Sequence, residues 1–182
     1  MTYILTALKS EADPIIDFFH LKKIDDKKFQ IFTNEKITLI ISGIGKIESA
    51  IATTYLLPKP NSILINIGIC GSPKHKKGEL FQIKKIIDKS STKVVHLKGK
   101  YIFNTQSITC CDTPQNDKIK FKNSLVDMES FGFYKSAKKF VKDENIYLIK
   151  VVSDNISNNI LTKNEVYDLI YMHLKSIKER LF

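Results

Sequence analysis

Three carboxylates stand where this chain changes character. Glu129 follows the short apolar run that ends Leu125-Val126-Asp127-Met128, where helical spacing begins. Asp154 closes the strongly apolar stretch Ile146 to Val152, just after Ser153. Glu11 lies beyond the apolar run Tyr3 to Leu8, at the start of another helical pattern. The exits of strands are where an α/β protein puts its chemistry. Each acid alone also has a structural explanation: an acid favoured by the dipole of a helix N-terminus for Glu11 and Glu129, a turn former for Asp154. Their joint occurrence, with the turns described next, shifts the balance towards a site.

Two glycine turns accompany them. Ser42-Gly43-Ile44-Gly45-Lys46 follows an apolar strand pattern and opens a helix; Gly68-Ile69-Cys70-Gly71-Ser72 follows another. Neither fits a known phosphate loop. The dinucleotide fingerprint needs a third glycine where Glu48 stands, and a P-loop needs Ser or Thr where Ile47 follows Lys46. What remains is permissive backbone that lets the main chain approach a ligand closely.

Other chemistries are disfavoured. Cys70, Cys110 and Cys111 form neither a disulfide framework nor a zinc motif, and the four histidines never take metal-ligand spacing. No metal and no cofactor is expected. The net charge of +10 invites a nucleic-acid reading, but Arg180 is the only arginine and the lysines are spread along the chain, with one small cluster from Lys74 to Lys77. Recognition of nucleic acid leans on arginine and interleaved aromatics, so a solvated lysine surface is the expectation. No apolar run is long enough to span a bilayer, and the N-terminus lacks the pattern of a secretory signal. A cytoplasmic protein with no membrane partner is expected.

The elements that must position these residues follow from periodicity. Strands are predicted over Tyr3–Leu8, Phe29–Thr33, Ile37–Ile41, Ser62–Ile67, Glu79–Asp88, Gln106–Cys110 and Ile146–Val152, with a brief one at Val94-Val95. The second and third read as a hairpin, and Lys22–Lys28 as a charged loop. Helices are predicted from Ser10 as N-cap to about His20, from Ile47 to about Leu57, from Glu129 to Lys142, and from Lys163 to Phe182. Strands alternating with helices, with no linker or repeat, predict a single α/β domain with a mixed sheet over residues 1–182.

Five segments, in order, resemble the nucleoside phosphorylase superfamily, and within it the methylthioadenosine/S-adenosylhomocysteine nucleosidases. They are Leu8-Lys9-Ser10-Glu11, Ser42-Gly43-Ile44-Gly45-Lys46, Ile65 to Ser72, Val126-Asp127-Met128-Glu129-Ser130 and Val151-Val152-Ser153-Asp154. The fourth is the most specific. The resemblance implies a three-layer fold with a partly barrel-like sheet flanked by helices. It implies hydrolysis of the N-glycosidic bond of an adenosine-type nucleoside, the alternatives being a phosphate-dependent phosphorylase or a non-catalytic nucleoside-binding homologue. In the roles it carries over, Asp154 gives a proton or hydrogen bond to N7 of the purine, with Ser153 beside it. Glu129 accepts from the ribose hydroxyls, Met128 packs on the sugar, and Glu11 deprotonates the attacking water. Gly68 and Gly71 let the backbone reach the sugar and nucleophile. Lys150 stands where the family has arginine; lysine keeps the charge but loses the bidentate geometry, so the resemblance implies that it either holds water less firmly or binds phosphate as a point charge. These roles suit the chemistry, because cleavage builds positive charge on the sugar and negative charge on the base. The segment from about 88 to 121 reads as shorter than in typical nucleosidases, which carry pocket and dimer contacts there. The expected partners are a small-molecule nucleoside and, in a homodimer, a second copy of the chain.

Overall fold

Two nine-residue apolar strands form the centre of the molecule, and most residues in them are buried. Such runs suit strands covered on both faces. The computed structural model describes residues 1–156 and 161–182. In chain order its strands and helices are β1 (Thr2–Thr6), α1 (Lys9–Phe19), β2 (Lys22–Ile24), β3 (Gln30–Thr33), β4 (Ile37–Ile41), α2 (Lys46–Tyr55), β5 (Ile63–Gly71), β6 (Leu80–Asp88), β7 (Val94–His96), β8 (Thr105–Cys110), β9 (Leu125–Asp127), α3 (Ser130–Ala137), β10 (Ile146–Asp154) and α4 (Lys163–Leu181).

The sheet is mixed and partly closed. β5 pairs in parallel with β10, β10 antiparallel with β6, β6 in parallel with β8, β8 in parallel with β9, and β9 returns antiparallel to β5. These five strands make a small barrel. Outside it the sheet continues from β5 through β1, β4 and β3 to β2, while β7 hangs on β6. Helices α2 and α3 cover one side, with Ala52, Phe133, Tyr134 and Ala137 in the core beneath them. Helices α1 and α4 cover the other through Ala12, Ile15, Leu169, Ile170, Leu174 and Ile177. The expected single-domain α/β architecture, helices on both faces of a mixed and partly barrel-like sheet, is what the chain adopts.

Local departures have local causes. Lys22–Ile24, read as loop, is an exposed edge strand paired with β3; with nothing buried it shows no alternation, and its lysines discourage edge-to-edge pairing. Helix α1 starts at Lys9 rather than after Ser10, because the Glu11 carboxylate folds back onto the backbone N–H of Leu8. Helix α2 runs one residue earlier than expected and stops at Tyr55, before Leu57 with its left-handed φ of 42°. Helix α3 ends at Ala137, and a short 3-10 turn at Asp143–Asn145 leads into β10.

Parallel pairing sets the site. β1, β5 and β10 run the same way, so their C-terminal ends open on one edge. The register places Asp154 beside Gly71, and Gly71 beside Val126 of β9. Glu11, Asp154 and the β9–α3 junction therefore meet there although they are far apart in sequence.

Candidate active site

A cavity of about 270 Å³ opens at this strand edge. Glu11, Met128, Glu129, Gly71, Ser153 and Asp154 line it, together with Asp127 and an apolar wall that includes Leu8, Ile44, Ile69 and Ile156. Gly68 and Lys150 lie beneath the floor, adjacent in the β5–β10 register. The Lys74 to Lys77 cluster is elsewhere. Lys74 lines a separate polar hollow with His75 and Lys122, and Lys77 pairs with Glu165 at 2.9 Å.

Glu11 is fixed by main chain on three sides. Its Oε2 accepts from the N–H groups of Ala7 and Leu8, both at 2.9 Å, and its Oε1 from Ile69 N–H at 2.9 Å. Gly68 makes room for it: a Cβ there would stand 2.9 Å from Glu11 Oε1. Burial raises the Glu11 carboxyl above its ordinary range, opposed by Lys150 and by the backbone donors.

Glu129 stands at the N-cap position of α3, but its side chain turns away from the helix. Its Oε1 accepts from Gly45 N–H at 2.9 Å, which ties the Gly43–Gly45 turn to the site, and its Oε2 accepts from Met128 N–H. Gly45 has φ 108°, a conformation that glycine adopts without strain. Burial first, and the neighbouring Asp127 second, push Glu129 up to about 7. Two carboxylates in one low-dielectric site cannot both ionise freely.

Asp154, half-buried, is held at both oxygens. Ser153 Oγ–H lies 2.6 Å from Oδ2, and Ile156 N–H donates to Oδ1 at 2.7 Å. Ser153 Oγ also lies 3.1 Å from the Cys70 carbonyl, which anchors the β10 end to β5. A Cβ on Gly71 would crowd Ile156 at 3.1 Å and approach Asp154 Oδ1 at 3.5 Å.

Asp127 is the member that reading the sequence left without a role. It accepts from Ser130 N–H at 3.0 Å and Ser130 Oγ–H at 2.7 Å, so it caps α3, and its Oδ2 lies 2.9 Å from Lys150 Nζ. Two signals could have found this pair. Asp127 and Glu129 are two residues apart at a strand end, and a lysine inside an otherwise apolar strand needs a buried partner. Burial alone would pull the Lys150 ammonium down; the carboxylates of Asp127, Glu129 and Glu11 outweigh it and hold the group above the ordinary lysine range. Among the described residues no cluster of His, Cys, Asp and Glu could hold a metal ion.

Such a site brings three carboxyls to one cavity: Glu11 held by main-chain N–H groups, Glu129 able to keep a proton near neutrality, and Asp154 hydrogen-bonded at both oxygens. No protein-family model matches the chain, and no curated protein matches it in sequence. Solved structures do match it in fold. The 5′-methylthioadenosine/S-adenosylhomocysteine nucleosidase of Helicobacter pylori, bound to butyl-thio-DADMe-Immucillin-A, superposes with a TM-score of 0.80 over 99% of this chain and 97% of its own, at 17% identity. Futalosine hydrolase of the same organism gives 0.80 over 99% and 96%, at 17% identity. The 5′-methylthioadenosine nucleosidase of Arabidopsis thaliana gives 0.79 over 99% and 93%, at 15% identity. The likeness is one of fold: this chain carries the fold of these methylthioadenosine nucleosidases and of futalosine hydrolase.

Proposed function

We propose that the chain is a nucleosidase that hydrolyses the N-glycosidic bond of an adenosine-type nucleoside. The observation that carries this reading is the convergence of Glu11, Glu129 and Asp154, from three separate elements, on one cavity beside Met128. As the bond lengthens, positive charge grows on the sugar and negative charge on the base. Asp154, steadied by Ser153 and Ile156, gives a proton or hydrogen bond to N7 of the leaving purine. Glu129 accepts from the ribose hydroxyls, and Met128 packs on the sugar. Glu11 takes the proton of the attacking water, and the backbone from Gly68 to Gly71 comes close to the sugar. The two acids thus work in opposite protonation senses, as in other glycoside-cleaving sites.

Water is favoured over phosphate as the nucleophile. Four acids and no lysine or arginine stand among the described lining residues. A phosphate dianion would meet repulsion there without a clamp. The neighbours of similar fold, named as methylthioadenosine, adenosylhomocysteine and futalosine enzymes, give the same direction.

A second copy of the chain is the partner we infer. The outer face of α2 exposes Ile47, Ile51 and Tyr55, and Ile44, also exposed, continues this row into the cavity wall. In a chain of net charge +10, a stripe free of lysine is where two copies can meet without repulsion. We place the work of the protein in the cytoplasm, on small molecules rather than nucleic acid or membrane.

The test is chromatography of products from methylthioadenosine, adenosylhomocysteine, adenosine and inosine, with and without phosphate. Free base should appear without phosphate, and Asp154→Asn should lower kcat by roughly 10²–10⁴-fold, the usual contribution of a positioned acid. Nucleoside binding with no base released would reduce the protein to a non-catalytic binder, and turnover that requires phosphate would make it a phosphorylase.

A further inference from the structure

Lys150 is 1% exposed and sits mid-strand in β10, with its ammonium 2.9 Å from an equally buried Asp127 oxygen. It does not line the cavity. Yet it lies directly below the site, in register with Gly68, whose missing side chain leaves a space that two charged groups share. A Cβ at Gly68 would stand 3.4 Å from Lys150 Nζ and 2.9 Å from Glu11 Oε1. The ammonium and the Glu11 carboxylate therefore face each other across that glycine.

We propose that Lys150, held in place by Asp127, is a positioning residue for Glu11: its buried positive charge offsets part of the cost of burying a negative charge on that carboxylate, so that Glu11 can serve as the proton acceptor for water without the lysine touching the ligand. This rests on the nucleosidase reading for its purpose but not for its electrostatics. Stability alone does not call for the pair. A buried ion pair loses hydration at both partners, and apolar residues of similar volume are often as stable or more so. Charge balance explains it better. Glu11 from α1, Asp127 from β9 and Glu129 at the start of α3 crowd one low-dielectric space around a single ammonium. Cys70 on β5 and Asp154 at the end of β10 are the other titratable groups near this cluster. Without the cation, burial favours the neutral form of each acid, and at Glu11 only the three backbone donors would still favour the carboxylate, so its proton would be held more tightly and its strength as a base at neutral pH reduced. Gly68 is the complement of this arrangement, since any side chain there would part the two charges.

The experiment is a pH titration of protein labelled with ¹³C at the glutamate side-chain carboxyls, with the Glu11 signal assigned by its loss in Glu11→Gln. In Lys150→Met the Glu11 midpoint should rise by about one pH unit or more, the usual scale of a neighbouring opposite charge, and Lys150→Arg should bring it back. Asp127→Asn should move it the other way, because it removes the anion that competes for the lysine. A Glu11 midpoint unmoved in Lys150→Met overturns the proposal. If that variant does not fold, Asp127→Asn decides, with a lowered midpoint in support and an unmoved one against. In the active enzyme the acid limb of kcat should shift upward with the Glu11 midpoint while KM stays unchanged. A wild-type protein that releases no base would sink the nucleosidase reading, while the titration would still decide the role of Lys150.

Discussion

Two lysines in this molecule each stand between carboxylates, and they live in different worlds. Lys46, at the start of α2, reaches Asp88 at 2.6 Å, Asp112 at 2.7 Å and Ser90 at 2.7 Å near the rim of the cavity. Lys150, under the floor, pairs with Asp127 beside Glu11 and Glu129. At the rim, burial raises Asp88, but hydrogen bonds from Lys46 and Ser91 win and hold it down to about 2. At the floor, burial wins over the cation, and Glu129 stands near 7. The residue types are the same. What differs is how many acids share one cation and how much solvent screens them, so one cluster is a strut and the other a proton store.

Breaking the floor should cost most. Asp127→Ala strands the Lys150 ammonium and removes both contacts that cap α3 at Ser130. Removing one partner of a buried pair destabilises by ~3–5 kcal/mol. Because Glu11 and Glu129 remain near the lysine, we expect about 3 kcal/mol, the lower end of that range, read as a drop in the urea midpoint with an unchanged slope. A loss below about 1 kcal/mol, the scale of an exposed pair, would erase the contrast between the two clusters.

The floor was also the part least legible in the sequence. The long strands declared themselves by composition: Ser62–Ile67 and Ile146–Val152 read as buried strands, and they form the buried body of β5 and β10, each of which runs on beyond the apolar stretch to Gly71 and Asp154. The acids Glu11, Glu129 and Asp154 stood out because each sits at the exit of an apolar run, and the structure gathers all three around one cavity. That gathering needed the parallel register of β1, β5 and β10, which no local pattern encodes. Lys150 could be seen as an anomaly within an apolar strand, but whether its ammonium points at the ligand or beneath it depends on which face of β10 meets Gly68. Asp127 was hidden by its neighbours, since a carboxylate two residues before Glu129 passes for part of the same motif. The edge strand Lys22–Ile24 was illegible for the opposite reason: it buries nothing, so it carries no pattern at all.

The proton store makes a smaller and directional prediction. Glu129 is raised from 4.5 to about 7, first by burial and then by Asp127. The folded state therefore binds this proton more tightly than the unfolded chain. Its contribution to stability is fully present below about 4.5 and is lost as pH rises through about 7. Over that window the urea midpoint of the wild-type protein should fall. In Glu129→Gln, whose side chain mimics the neutral acid, the fall should be shallower. Equal slopes in the two proteins would show that Glu129 is not where the proton is kept.

The rim should yield least. Asp112 is 58% exposed at its side chain, and Lys46 keeps Asp88 and Ser90 when it is gone. An exposed pair of this kind contributes roughly 0–1 kcal/mol. Asp112→Asn should therefore leave the unfolding midpoint nearly unchanged. Its one consequence should be felt next door, because Thr113, Pro114 and Gln115 follow Asp112 directly and line the cavity. Loosening their anchor should raise KM by no more than about fivefold, the equivalent of ~1 kcal/mol, with kcat unaltered, since none of these residues faces the reacting bond in the proposed mechanism. The wild-type advantage should shrink as salt is added, because an exposed pair is screened, whereas the effects of Asp127→Ala should persist at high salt. A rim variant as damaging as the floor variant would mean that the Lys46 network, and not the buried quartet, holds the pocket in shape.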